Sequence, residues 1–167
     1  MADIDIQNPG ASEADLREAL VDLVGWRLHD EWDHAINGTV SSIDFINLAP
    51  FSELYVVHNG LTKSTTATPR VLFSLDNGIT FLNTSGDYST TNTLGVTGNG
   101  ASAGDMHSSG AASARYGTIQ IFNTKNVISL DRRGDERILN FDGPISGVRI
   151  YPTSGDFTGG TMRCYVK

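Results

Sequence analysis

The densest cluster of potential ligands in this sequence is His29-Asp30-Glu31-Trp32-Asp33-His34. Side chains alternate along a strand, so His29, Glu31 and Asp33 share one face, an arrangement a divalent cation can use. A solvated strand face fits the same pattern, and no metal is assigned. Glycoside hydrolysis needs two carboxylates flanking the scissile bond. Asp30, Glu31, Asp33, Asp87 and Asp105 are available, yet nothing in their spacing selects a pair. There is no G-x-S-x-G elbow, and the one thiol, Cys164, reads as small core packing in a terminal strand. The glycines of GVTGNGASAG open no helix after a buried strand and carry no Lys, which argues against a phosphate cradle. Arg133-Gly134-Asp135 reads as a tight turn. No catalytic residue and no cofactor is assigned, and the chain is not expected to be an enzyme.

Two other groups of residues carry chemistry. Ser74-Leu75-Asp76-Asn77-Gly78-Ile79-Thr80-Phe81 fits S-x-D-x-G-x-T-aromatic and resembles the Asp-box hairpin of sialidases and many other β proteins. Asp76 is placed to accept turn N–H groups, Gly78 to supply a positive φ, and Phe81 to pack beneath. With Thr80 these residues form a structural turn, not a hydrolytic centre. The second group is aromatic. Sugars stack their apolar faces on rings while carboxylates, amides and Arg bond the hydroxyls. Trp32, Tyr88, His107, Arg115 and Tyr116 are the glycan-binding candidates, all but Trp32 in or beside one long polar segment.

The chain that must position these groups has 167 residues, the size of a single domain with one real core. No apolar run approaches the roughly 18 residues of a spanning helix, so no membrane insertion is expected. The start, MADIDIQNPG, is acidic where an export signal is positive. Net charge is −7, with 12 basic residues scattered among 19 acidic ones, which disfavours a nucleic-acid partner. A single cysteine excludes an internal disulfide.

Residues 1–25 differ in kind from the rest. Ser12 is a plausible N-cap, Glu13 and Asp15 suit a helix N-terminus, and Gly25 is a reasonable stop. Between them Leu16, Ala19, Leu20, Leu23 and Val24 fall on one helical face. An isolated helix of about three turns is marginal in water. Its stripe needs a partner: the domain's own core, a bundle with sister chains, or a socket in a larger particle.

From Trp26 the period changes to two. WRLHDEWDHA alternates, and TVSSIDFINL, ELYVVH, PRVLFSL, ITFLN, YGTIQIFN, NVISLD, RILNFD, SGVRIYP and TMRCYVK read as further strands. Asn37-Gly38, Asn59-Gly60, Asn77-Gly78, Asp142-Gly143-Pro144 and Gly159-Gly160 are the turn signals between them. Short strands at close spacing with no helix between them predict an all-β fold, an antiparallel β-sandwich or jelly roll over 26–167. The segment between Asn83 and Arg115 breaks the pattern. Its Gly, Ser, Thr, Asn and Ala make it either a binding or subunit-contact loop, or a passive excursion with a short extra strand.

The ordered set of strings from Trp26 to Lys167 resembles the β-sandwich modules of phage or gene-transfer-agent fibre and spike receptor-binding proteins. It comprises Glu31-Trp32, then V-S-S-I-D-F-x-x-L from Val40 to Leu48, and E-L-x-V-V with a following G-x-T from Glu53 to Thr62. V-x-F-S-x-D-N-G from Val71 to Gly78 follows, and then a closing pair, Ile145–Pro152 and Gly160–Lys167. The resemblance implies a particle-surface protein, assembled in host cytoplasm, that forms a homo-oligomer (trimer or pentamer) and binds host cell-surface polysaccharide. It also implies attachment to other particle proteins through the N-terminal helix. The alternative it leaves is a decoration or adaptor protein that binds no glycan.

Overall fold

The computed structural model describes residues 25–48, 50–91, 97–100, 117–122, 127–129, 136–139 and 143–167. The helix expected between Ser12 and Gly25 lies outside them, as do His107, Arg115, Tyr116, Asp105 and the Arg133-Gly134-Asp135 turn.

The described elements are almost all strands. β1 (Arg27–Asp33) leads into one helical turn, α1 (His34–Asn37), followed by β2 (Ile43–Ile46), β3 (Glu53–Lys63) and β4 (Pro69–Ser74). Then come β5 (Tyr88–Thr91), β6 (Thr97–Gly100), β7 (Gly117–Phe122), β8 (Val127–Ser129) and β9 (Glu136–Leu139). β10 (Gly147–Pro152) and β11 (Phe157–Val166) complete the set. They form two sheets with antiparallel pairing throughout, one ordered β1-β11-β3-β7-β8-β9-β5-β6 and the other β2-β10-β4.

Alternation decides which way each strand faces. In β3, Leu54, Val56 and His58 are buried while Tyr55 and Val57 are half-buried; in β11, Met162, Cys164 and Val166 are buried while Arg163 and Tyr165 are not. Ile43 and Phe45 of β2, Val71 and Phe73 of β4, and Val148 and Ile150 of β10 join Leu54, Val56, Met162, Cys164, Val166, Trp32 and Phe157 in one apolar cluster. Full burial of such a side chain contributes roughly 1.5–3 kcal/mol, so this shared interior is the main source of stability. The chain is therefore mostly β, with two antiparallel sheets closing over one core.

Several local expectations are corrected. Asn59-Gly60 and Gly159-Gly160 are not turns between strands; they lie inside β3 and β11. The ladder shifts register at Gly159 and again before Thr161, which pairs with Asn59. Gly160 has φ 93°, and a Cβ there would stand 2.6 Å from the Gly60 carbonyl carbon. The two glycine signals thus face each other at a bulge in one long strand pair.

The strand expected over ITFLN does not form either. Residues 79–83 are irregular, and the Leu82 N–H donates to the Phe73 carbonyl at 2.9 Å. In the segment between Asn83 and Arg115, where at most a short extra strand was expected, β5 and β6 pair with each other and β5 also pairs β9. Strict alternation along β1 fails at a register shift between Leu28 and Asp30. Its far end is set by Asp33, whose carboxylate accepts the Ala35 N–H at 2.8 Å and caps α1.

Candidate functional site

The turn after β4 has the chemistry expected of it. Ser74 Oγ donates to Asp76 Oδ1 at 2.7 Å and accepts the Gly78 N–H at 2.8 Å. The Thr80 N–H donates to Asp76 Oδ1 at 2.9 Å, and the Thr80 hydroxyl donates to Oδ2 at 2.5 Å. The Thr80 and Ser74 hydrogen bonds stabilise the charged carboxylate and hold the Asp76 pKa down at about 2. Gly78 has φ 84°, and a Cβ there would come within 2.5 Å of Ile46 Cγ2. Phe81 packs against the core, with the Arg149 guanidinium 4.1 Å above its ring. Arg149 in turn forms a bidentate pair with Asp44. Every polar group of Asp76 is engaged in shaping the turn.

The histidine-acid cluster on β1 is divided among separate structural roles. His29 Nε2 lies 2.9 Å from the Ile46 carbonyl, Glu31 pairs with Arg163 at 2.8 Å, and Asp33 caps α1. Asp30 accepts the N–H of Glu31 at 2.8 Å. Asp87 is buried and accepts the Thr84 N–H at 2.6 Å. Cys164 is fully buried, and burial pushes its thiol up to about 12, the behaviour of a packing residue.

Two of the glycan-binding candidates are corrected. Tyr88 is 0% exposed, its ring packed on Phe73 and its hydroxyl held by backbone. Trp32 is 6% exposed, packed against Phe157 and His34. Neither ring offers a face to a sugar, because each fills the interior between the sheets. His107, Arg115 and Tyr116 fall outside the described residues.

The open aromatic surface is elsewhere, on the outer face of the larger sheet. Tyr55 of β3 sits opposite Tyr165 of β11, which sits opposite Leu28 of β1. One residue before β1, Trp26 places its ring 5.9 Å from that of Tyr55 at an interplanar angle of 55°. Trp26, Tyr55 and Tyr165 are half-buried and Leu28 is 49% exposed, so all keep surface open to water. Charges border the rings. Lys167 Nζ lies 5.9 Å from the Trp26 centroid and 4.0 Å from Glu53, and Arg163 with Glu31 forms the next rung. The Lys167 backbone is fixed by bonds to Glu53 and Ser52 at 2.9 and 2.8 Å, which sets this end of the face.

The signal for this face was present in the sequence as alternation. Tyr55 lies between inward Leu54 and Val56, and Tyr165 between inward Cys164 and Val166, so period two alone turns both rings outward. Weighing aromatics only around the polar segment passes over them.

No protein-family model matches the chain, and no curated protein matches it. Among solved structures it is similar to a prokaryotic β-1,3-1,4-glucanase (lichenase) derived from a mouse hindgut metagenome. That similarity has 10% identity, coverage of 84% of this chain and 89% of that one, and a TM-score of 0.30. It is also similar to a carbohydrate-binding module studied for specific mannan recognition, at 10% identity, 90% and 92% coverage and a TM-score of 0.23. Likenesses this slight place no ligand on the present chain.

Proposed function

We propose that this protein is a surface fibre or spike subunit of a virion or virus-like particle that binds host cell-surface polysaccharide as a homo-oligomer. The observation that carries the binding is the outward set of Trp26, Tyr55 and Tyr165 on a sheet whose other face is the core. Half-exposed rings beside carboxylates and cations are the groups that hold sugars, by stacking and by hydroxyl hydrogen bonds. The particle setting rests on the strand strings between Trp26 and Lys167 that resemble fibre and spike modules. Single sites of modest affinity suffice there, because many copies on one particle raise avidity without new contacts. The reading assigns no catalysis to the chain.

A second reading, an adaptor or decoration protein without glycan binding, is favoured by a different observation. Ile36 and Ile79 are 82% and 83% exposed, and Ile46 lies beside Gly78 at the same turn as Ile79, apolar surface suited to protein contact. A glycan array probed with the purified oligomer separates the two. Retention of at least one polysaccharide supports the first reading; retention of none supports the adaptor. Incubation with capsular polymer is expected to leave its chain length unchanged.

A further inference from the structure

We infer that the outer face around Trp26 and Tyr55 is the saccharide site, and that it takes single chains of a neutral, soluble glycan. This rests on the binding reading above and specifies its ligand class and its place in the fold.

Two observations choose the class. The first is charge. The cations flanking the rings are already matched: Arg163 is 2.8 Å from Glu31, and Lys167 lies 4.0 Å from Glu53 while also facing the Trp26 ring. A uronic or sialic acid arriving at Arg163 or Lys167 meets a carboxylate already beside that cation, within a protein of net charge −7. A neutral sugar instead finds acceptors in the carboxylates and donors in the guanidinium for its hydroxyls, with stacking surface between them.

The second observation is ring geometry. A flat crystalline polymer requires its aromatic contacts to be coplanar. Trp26 and Tyr55 are inclined at 55°, so they form two non-parallel walls, with Tyr165 on β11, the strand between β1 and β3. That shape fits a solvated chain whose successive sugar units turn relative to one another.

The test uses the full chain. Affinity electrophoresis is run in gels containing galactomannan, dextran or mixed-linkage β-glucan, and in gels containing polygalacturonate or hyaluronate; pull-down on microcrystalline cellulose completes the set. The proposal expects retardation by at least one neutral soluble polymer and by neither polyanion, with no depletion on cellulose. Trp26→Ala and Tyr55→Ala are each expected to weaken retention about tenfold or more, with circular dichroism unchanged. A measurement without mutation guards against misfolded variants. Acrylamide is expected to quench Trp26 fluorescence in the free protein, with little quenching of buried Trp32, and the retained neutral polymer is expected to protect Trp26.

Retention on polyanions or cellulose alone, or retention with Trp26 unprotected, overturns the site and ligand class while the binding function stands. A Trp26 that acrylamide does not reach in the free oligomer overturns it too, because a second copy or the N-terminal segment then covers the face. Retention of none of these polymers, and of nothing on the array, overturns the binding function itself.

Discussion

Tyr88 closes the open edge of β4 through Phe73. Its hydroxyl accepts the Phe73 N–H at 3.0 Å and donates to the Leu82 carbonyl at 2.9 Å, while the Leu82 N–H donates back to the Phe73 carbonyl. β4 is the outer strand of the smaller sheet, where unpaired backbone groups invite pairing with another chain. Among the described residues no strand pairs with that edge and a side chain bonds it instead, and burial pushes the phenol's pKa well above its usual value.

Tyr88→Phe keeps the ring and removes the clasp, leaving the Phe73 N–H and the Leu82 carbonyl without this partner. The expected cost is about 1–3 kcal/mol in urea unfolding, with polysaccharide retention unchanged. Loss of retention at unchanged stability would contradict the structural role.

Asp76 gives a pH dependence of defined sign. Its folded pKa is about 2 against an ordinary 3.8, so the native state favours the carboxylate. The stability this provides is fully present above the unfolded value and is lost as pH falls through the folded one. The wild-type urea midpoint is expected to decline across that interval, and Asp76→Asn is expected to lack that share of the decline. Identical slopes for the two proteins would show that the turn bonds do not favour the charged form.

Gly160→Ala places a Cβ 2.6 Å from Gly60 backbone at a φ of 93°. Backbone cannot yield as a flexible side chain does, so the variant is expected to lose more than about 1 kcal/mol in thermal or urea unfolding. Wild-type stability would mean that the bulge between β3 and β11 is not as described.

The sandwich was legible from Trp26 onward because period two dictates it: Leu54/Val56 and Cys164/Val166 alternate without interruption. Less legible was what the glycines do. Asn59-Gly60 and Gly159-Gly160 carry the composition of turns, and only their meeting across the ladder makes them a bulge. ITFLN has strand composition, yet only its Leu82 bonds the β4 edge, and the Phe73 N–H is taken by the Tyr88 hydroxyl 15 residues on, a contact that no local pattern signals. The burial of Trp32 and Tyr88 was missed for a related reason. Trp32 and Tyr88 look available by residue type, but a shifted register in β1 and the edge clasp turn both inward, while Tyr55 and Tyr165 face out.

Removal of residues 1–24 tests the attachment role that the resemblance to fibre modules implies for the opening segment. The full chain is expected to show an oligomeric mass by light scattering, and the truncated protein a smaller one with its far-ultraviolet β spectrum kept. A three-fold parent favours a tail fibre and a five-fold one a capsid vertex. A truncated chain of unchanged mass number would contradict the role.

The most direct measurement is side-chain NMR of the full chain, with labelled Trp and Tyr rings, during titration with oligosaccharides from galactomannan, dextran and mixed-linkage β-glucan. At least one series is expected to shift the Trp26, Tyr55 and Tyr165 ring signals while those of Trp32 and Tyr88 stay in place. Ring signals unmoved by all three, or shifts that bypass Trp26 and Tyr55, would contradict it.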